Sequence, residues 1–179
     1  MAVRPIVTFG DARLRQPGAP ITRFDRELAA LIDDMLETMR AAPGAGLAAQ
    51  QIGLALQLCV IEIGGEAFEV ANPTIVHLSG AEDEWEGCLS LPGYRGLRRR
   101  AARAVMTGQD RTGRRITISG KGELARAIQH EYDHLHGIVY TDGLPAGAEI
   151  LTEAQVSARL AAHVAERKAA ATRPPGPTD

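Results

Sequence analysis

The stretch Gln129-His130-Glu131-Tyr132-Asp133-His134-Leu135 limits the possible folds of this chain more than any other. Two histidines stand four positions apart, and a glutamate directly follows the first. On an α-helix, side chains at i and i+4 share one face about one turn apart. Two imidazoles so placed can bind one metal ion, and the glutamate beside them can reach a water held by that ion. Leu124, Ala125, Ala127, Ile128 and Leu135 supply an apolar face, and Gly137 is a suitable C-terminal cap. The segment predicts a helix buried on one side and functional on the other. The competing reading is a surface helix that carries two histidines by chance.

The rest of the chain reads as a frame for that helix. Its 179 residues are 45% hydrophobic and 23% charged, which suits one domain with a sizeable core. That catalytic domain is expected over residues 1–171, with the proline-rich 172–179 as a disordered tail. Residues 12–22 carry Pro17, Gly18 and Pro20 and are expected to be irregular. From Phe24 to Arg40, Leu28, Leu31, Ile32, Met35, Leu36 and Met39 recur at helical spacing, and Pro43-Gly44 ends the run. Leu56 to Ile63 predicts a strand, Gly64-Gly65 a hairpin turn, and Glu66 to Val70 a return strand that Asn72-Pro73 breaks. Residues 74–78, 104–107 and 114–119 add short strands, and Val139-Tyr140 another. Leu151 to Ala171 predicts a last helix with Leu151, Ala154, Val156, Leu160, Ala161 and Val164 as its apolar face. The fold class implied is α+β: short mixed or antiparallel strands wrapped around a central metal-binding helix, with one N-terminal and one C-terminal helix.

The formal net charge of -2 argues against a broad nucleic-acid-binding face or a specific DNA partner. Arg98-Arg99-Arg100 lie in a local basic strip, read as a solvated strand edge. No apolar run approaches the roughly 20 residues that span a bilayer, so no membrane association is expected. Without a secretion pattern near Met1, a cytoplasmic location is the expectation. Cys59 and Cys88 are then packed thiols or metal ligands rather than a disulfide.

A tetrahedral site with two histidines needs a third protein ligand. Cys88, Cys59, His136, Glu149 and Glu153 are available. On a helix His136 points to another face than His134, and Cys59 lies inside an apolar strand. Glu153, nineteen residues after His134, would give a site resembling the thermolysin-like zinc proteases. Cys88 sits in a glycine-containing turn where backbone can approach a substrate. A closed structural zinc site built from both cysteines and both histidines is the non-enzymatic alternative.

Gly44-Ala45-Gly46-Leu47-Ala48-Ala49-Gln50-Gln51, Glu86-Gly87-Cys88-Leu89-Ser90 and Gln129-His130-Glu131-Tyr132-Asp133-His134 resemble, in order and separation, the three motifs of the peptide deformylases. Residues 11–15 and 33–39 are also similar to that family, so the resemblance runs from about residue 4 to about residue 165. It implies that Cys88, His130 and His134 are metal ligands and Glu131 the catalytic acid/base. It implies that the Gln51 side chain and the Leu89 N–H donate to the substrate carbonyl, and that Gly46 and Arg95 bind substrate. The implied cofactor is one divalent ion per chain, Fe²⁺ first, with Ni²⁺, Co²⁺ or Zn²⁺ as alternatives. The implied substrate is the N-formyl-methionyl nascent polypeptide, which loses formate to a cytoplasmic monomer. The Arg98–Arg100 strip together with that activity suggests a transient ribosome contact. Three departures stand out. Gln50 occupies a position where the family often has proline, so Gln51 is chosen by register. Glu84 and Glu123 stand where some relatives are apolar, which bears on the preference for methionine. Many members read Val-Pro-Arg where this chain has Arg98-Arg99-Arg100; Arg100 keeps the family's arginine and is expected to pair with Asp133 as an orienter.

Overall fold

The structure is a computed structural model that describes residues 2–171, with side chains described through residue 166. The expected disordered tail, 172–179, lies outside the described residues. Helix α1 spans Arg26–Ala41. Asp25 caps it, accepting hydrogen bonds from the Glu27 and Leu28 N–H groups at 3.0 and 3.1 Å. Its Leu28, Ile32, Met35 and Met39 are buried against Leu58 and Val60.

Those two residues belong to β2 (Leu58–Ile63), which pairs with β1 (Gly46–Ala48) on one side and β3 (Glu66–Ser79) on the other. With β6 (Arg103–Gln109) and β7 (Arg115–Lys121) they form an antiparallel sheet ordered β1-β2-β3-β6-β7. Alternation along β2 explains its unbroken apolar run. Leu58 and Val60 face α1, whereas Cys59 and Ile61 face the histidine helix α2 (Glu123–Leu135) through Ala125, Ile128 and Leu135. A second antiparallel sheet, ordered β4-β5-β8, combines β4 (Glu82–Cys88), β5 (Leu91–Arg100) and β8 (Ile150–Thr152). Thus α2 packs its apolar side on the larger sheet and meets charged groups of the smaller sheet on another side.

Four expectations need correction. Asn72-Pro73 does not end a strand; β3 runs through it, with pairing shifts between Ala71 and Thr74 and between Ile75 and His77. A bulge absorbs the proline, which has no N–H to contribute to the ladder. Asn72 takes a φ of 51°, and its side chain binds both N–H and C=O of Ile21 at 2.8 Å. Tyr140–Gly143 is a single 3₁₀ turn rather than a strand, closed by the Asp142 carboxylate on the Val139 N–H at 3.0 Å. The last helix, α3 (Glu153–Ala171), starts two residues late because Leu151 pairs with Arg95 inside β8. Of the apolar face predicted for that helix, Leu151 and Val156 are buried, whereas Leu160 and Val164 are exposed. After Val156 the described side chains of α3, residues 157–166, are all exposed.

The fourth correction concerns the arginine strip. Glu82, Asp83 and Glu84 on β4 stand opposite Arg100, Arg99 and Arg98 on β5. Opposite charges across a strand pair support the pairing. Arg99 is solvated, but the side chains of Arg98 and Arg100 are only 11% and 5% exposed.

Candidate metal centre

One side of α2 presents His130, Glu131 and His134, all buried. The two Nε2 atoms lie 3.2 Å apart, and Cys88 Sγ lies 3.2 Å from His134 Nε2. All three candidate ligand atoms fall within 4.8 Å of one another. The thiol reaches α2 because pairing slips at the end of β4: Gly87 faces Arg95, but Cys88 already faces Leu91. The tight turn through Leu89 and Ser90 then brings the Ser90 N–H to 3.4 Å from Sγ.

These residues fit a divalent ion. Metal–nitrogen bonds of about 2.0 Å and metal–sulfur bonds of about 2.3 Å put tetrahedral ligand atoms roughly 3.3 to 3.6 Å apart. The 3.2 Å separations need little adjustment to meet that requirement. Two imidazoles and a thiolate suit late first-row divalent metals. Beside them, Glu131 Oε2 is buried with no hydrogen-bond partner among the described residues. Burial pushes the Glu131 carboxyl up to about 7.

The other ligand candidates are occupied elsewhere. Cys59 lies in the core between Ala48 and Val70, where burial pushes its thiol upward. His136 is exposed, with Nδ1 2.7 Å from the Tyr132 carbonyl. Glu149 pairs with Arg159 at 2.8 Å and Glu153 with Arg95 at 3.1 Å. The protease arrangement and the closed four-ligand arrangement are therefore both absent among the described residues.

Glu86 holds His130 and was not foreseen from the sequence. Its Oε1 lies 2.7 Å from His130 Nδ1. A carboxylate accepting from Nδ1–H leaves the Nε2 lone pair free for a metal. Burial opposes the negative charge of Glu86, but hydrogen bonds from Arg100 and His130 outweigh it and hold the carboxyl below the usual range. Arg100 donates from Nε to Oε2 at 2.8 Å and from Nη2 to Oε1 at 2.5 Å. The expected Arg100–Asp133 bond is present at 2.8 Å, and Arg98 adds a second to the same Asp133 oxygen at 2.9 Å. A signal for Glu86 did exist: on a strand, residues i and i+2 share a face, so Glu86 travels with Cys88. Tyr140 stacks on the His130 ring at 6.3 Å between centroids.

A cleft of roughly 460 Å³ opens over this cluster. Gly46, Gln51, Leu89 and Arg95 all line it, with Cys88, His130 and Glu131. A side chain at position 46 would place its Cβ 2.3 Å from Glu131 Oε1, so only glycine lets β1 approach that carboxylate. The two adjacent glutamines have opposite fates. Gln51 accepts the Ala48 N–H at 2.8 Å, which turns its Nε2 to 3.4 Å from both Cys88 Sγ and Ser90 Oγ. Gln50 points its Nε2 instead toward the carbonyls of Gln16, Leu56 and Leu135. The N-terminal segment fastens both walls: the Val7 N–H donates to the Gln51 carbonyl at 2.8 Å and the Phe9 N–H to the Ser90 carbonyl at 2.7 Å. Arg95 stands at the rim, bonded to Glu153. Glu84 is exposed and outside the lining, whereas Glu123 lines the cleft from the first turn of α2.

The family model described as polypeptide deformylase matches residues 3–148. A peptide deformylase of Heliobacterium modesticaldum is 47% identical over 142 residues, covering 79% of this chain and 94% of that protein. One from Acidothermus cellulolyticus is 47% identical over 144 residues, covering 80% of each. The crystal structure of peptide deformylase from Thermotoga maritima superposes with a TM-score of 0.79 at 35% identity, over 81% of this chain and 99% of that one.

Proposed function

This chain belongs to the polypeptide deformylase family, and on that premise we propose that it removes the N-formyl group from N-terminal formyl-methionine of newly made polypeptides, releasing formate. The observation that carries this reading is the convergence of Cys88 Sγ and two histidine Nε2 atoms at the base of a cleft walled by Gln51 and Glu131.

Cys88, His130 and His134 would hold the ion. When bound, a divalent metal supplies Lewis acidity and lowers the pKa of water from about 15.7 to about 7. Glu131 accepts the proton of the attacking water and passes it to the departing amine as the formyl C–N bond breaks. A carboxyl raised to about 7 by burial can serve in both directions near neutral pH. Gln51 Nε2 and the Leu89 N–H donate to the formyl oxygen as negative charge develops on it, each worth roughly 3 to 4 kcal/mol. The bond from the Ala48 N–H fixes the Gln51 amide in the donating orientation. Gly46 keeps the wall beside Glu131 free of side chain, which suits a group as small as formyl. Arg95 at the rim is placed to meet the peptide beyond its first residue.

The ion we assign is Fe²⁺, with Ni²⁺, Co²⁺ or Zn²⁺ able to occupy the same donors. We place the enzyme in the cytoplasm as a monomer, where its substrate is made; among the described residues no helix is long and apolar enough to cross a membrane. Residues 1–171 are treated as one catalytic domain, a view supported by the family match over 3–148. A transient ribosome contact fits a nascent-chain substrate, but Arg98 and Arg100 do not support it, because their guanidinium groups are spent on Glu86 and Asp133. The test is formate release from formyl-Met-Ala-Ser by protein loaded anaerobically with Fe²⁺ or Ni²⁺. Release from the formyl peptide and none from its acetyl counterpart is expected; no release from either contradicts the reading.

A further inference from the structure

Glu86 is gripped from two elements, and two of the gripping residues, His130 and Arg126, also line the cleft. Its Oε1 meets His130 Nδ1 and Arg100 Nη2. Its Oε2 accepts from Arg100 Nε at 2.8 Å and from Arg126 Nη1 at 2.9 Å. Arg126 stands four residues before His130 on α2, so both side chains leave the same side of the helix. Its guanidinium also donates to the Arg98 carbonyl at 3.0 Å and the Glu82 carbonyl at 3.4 Å. Arg126 thereby ties α2 to both β4 and β5 at the carboxylate that orients a metal ligand. Its side chain is only 11% exposed and stands among the residues that line the cleft.

We infer that Arg126 is a positioning residue for His130, acting through Glu86. Without Arg126, Glu86 Oε2 keeps a single donor, on β5, and α2 loses its direct tie to that oxygen. The inference rests on the metal-centre reading above.

Three variants test this role. Arg126→Met keeps an unbranched apolar stem and removes the guanidinium, Arg126→Ala removes both, and Arg126→Lys restores one donor. Metal loss to a chelator is followed without substrate, together with the visible spectrum of the Co²⁺ form, which reports ligand geometry. Arg126→Met is expected to release metal about 10- to 100-fold faster and to shift the Co²⁺ bands. Its KM for formyl-Met-Ala-Ser should stay near that of the wild type while kcat falls. Arg126→Lys should recover part of the retention, and Arg126→Ala should lose it as Arg126→Met does. Wild-type metal retention and spectrum in Arg126→Met overturn the positioning role. A wild type that binds no metal overturns the centre itself, and this inference with it.

Discussion

Cys59 sits in the middle of β2, between Ala48 on β1 and Val70 on β3, and is fully buried. Cys88 sits at the end of β4, where pairing slips and the turn begins, and is half-buried. Around Cys59 the neighbours are aliphatic: Ile61, Met106, Ile128 and Leu135 belong to the same cluster. Around Cys88 they are polar: His134 Nε2, Gln51 Nε2 and the Ser90 N–H all lie within 3.4 Å of Sγ. Both thiols are on strands next to α2, so proximity to the histidine helix does not make a ligand. What distinguishes Cys88 is a strand end, whose free backbone and adjacent polar side chains can converge on one point. The larger sheet supplies rigidity to α2, and the smaller sheet supplies chemistry.

The contrast can be broken most easily by exchanging the fates of the two thiols. Cys88→Ala is expected to lose stoichiometric metal and to reduce formate release to background, measured by elemental analysis and assay on the same sample. Cys59→Ala should keep both. A metal-free Cys59→Ala, or a fully loaded Cys88→Ala, would erase the distinction. Next in size is the pair of glutamines that meet the same two environments. Gln51→Ala should lower kcat by about 10²- to 10³-fold with metal retained, as for loss of one oxyanion donor. Gln50→Ala should act on unfolding midpoint rather than on kcat. Cys59→Ala should in turn cost only about 1 kcal/mol in urea unfolding, a typical value for a single core change.

Smaller effects sharpen the picture at the cleft and far from it. Glu123 lines the cleft, and its carboxylate has no hydrogen bond or ion pair among the described residues. Peptides with lysine soon after formyl-methionine should be favoured over those with glutamate, by about fivefold or less because the charge is exposed. Glu123→Gln should flatten that ratio of kcat/KM; an unchanged ratio excludes Glu123 as its source. Away from the site, Asp25 caps α1, and hydrogen bonding from the Leu28 N–H lowers its pKa. Because the folded pKa lies below the unfolded one, near 3.9, the stabilisation is present above that value and is lost as pH falls through the folded pKa. The difference in Tm between wild type and Asp25→Ala should therefore be larger at pH 6 than at pH 3.

The parts of the fold legible in the sequence are those whose pattern arises from one-sided packing. Helix α1 shows its buried stripe directly, and β2 shows an apolar run because α1 and α2 cover its two faces. The histidine spacing on α2 is local and was readable for the same reason. The pairing of β4 with β5 was not readable, because it rests on acidic and basic residues about sixteen positions apart that look like two solvated charge runs until they face each other. The role of Glu86 was only half legible: alternation puts it on the face of Cys88, but its grip depends on Arg100, Arg126 and His130 arriving from other elements. The choice between Gln50 and Gln51 follows from one backbone hydrogen bond, that of the Ala48 N–H, which no periodicity encodes. Helix α3 carried a fair amphipathic pattern, yet among its described side chains only Val156 is buried.

The most direct test of the central claim is kcat/KM on formyl-Met-Ala-Ser for wild type and Glu131→Gln, with metal content determined in the same preparations. Retained metal with a loss of about 10²- to 10⁴-fold in the variant is the expected result for removal of the acid/base group. Metal-replete Glu131→Gln that releases formate at the wild-type rate contradicts the assignment of Glu131 and the hydrolytic mechanism built on it.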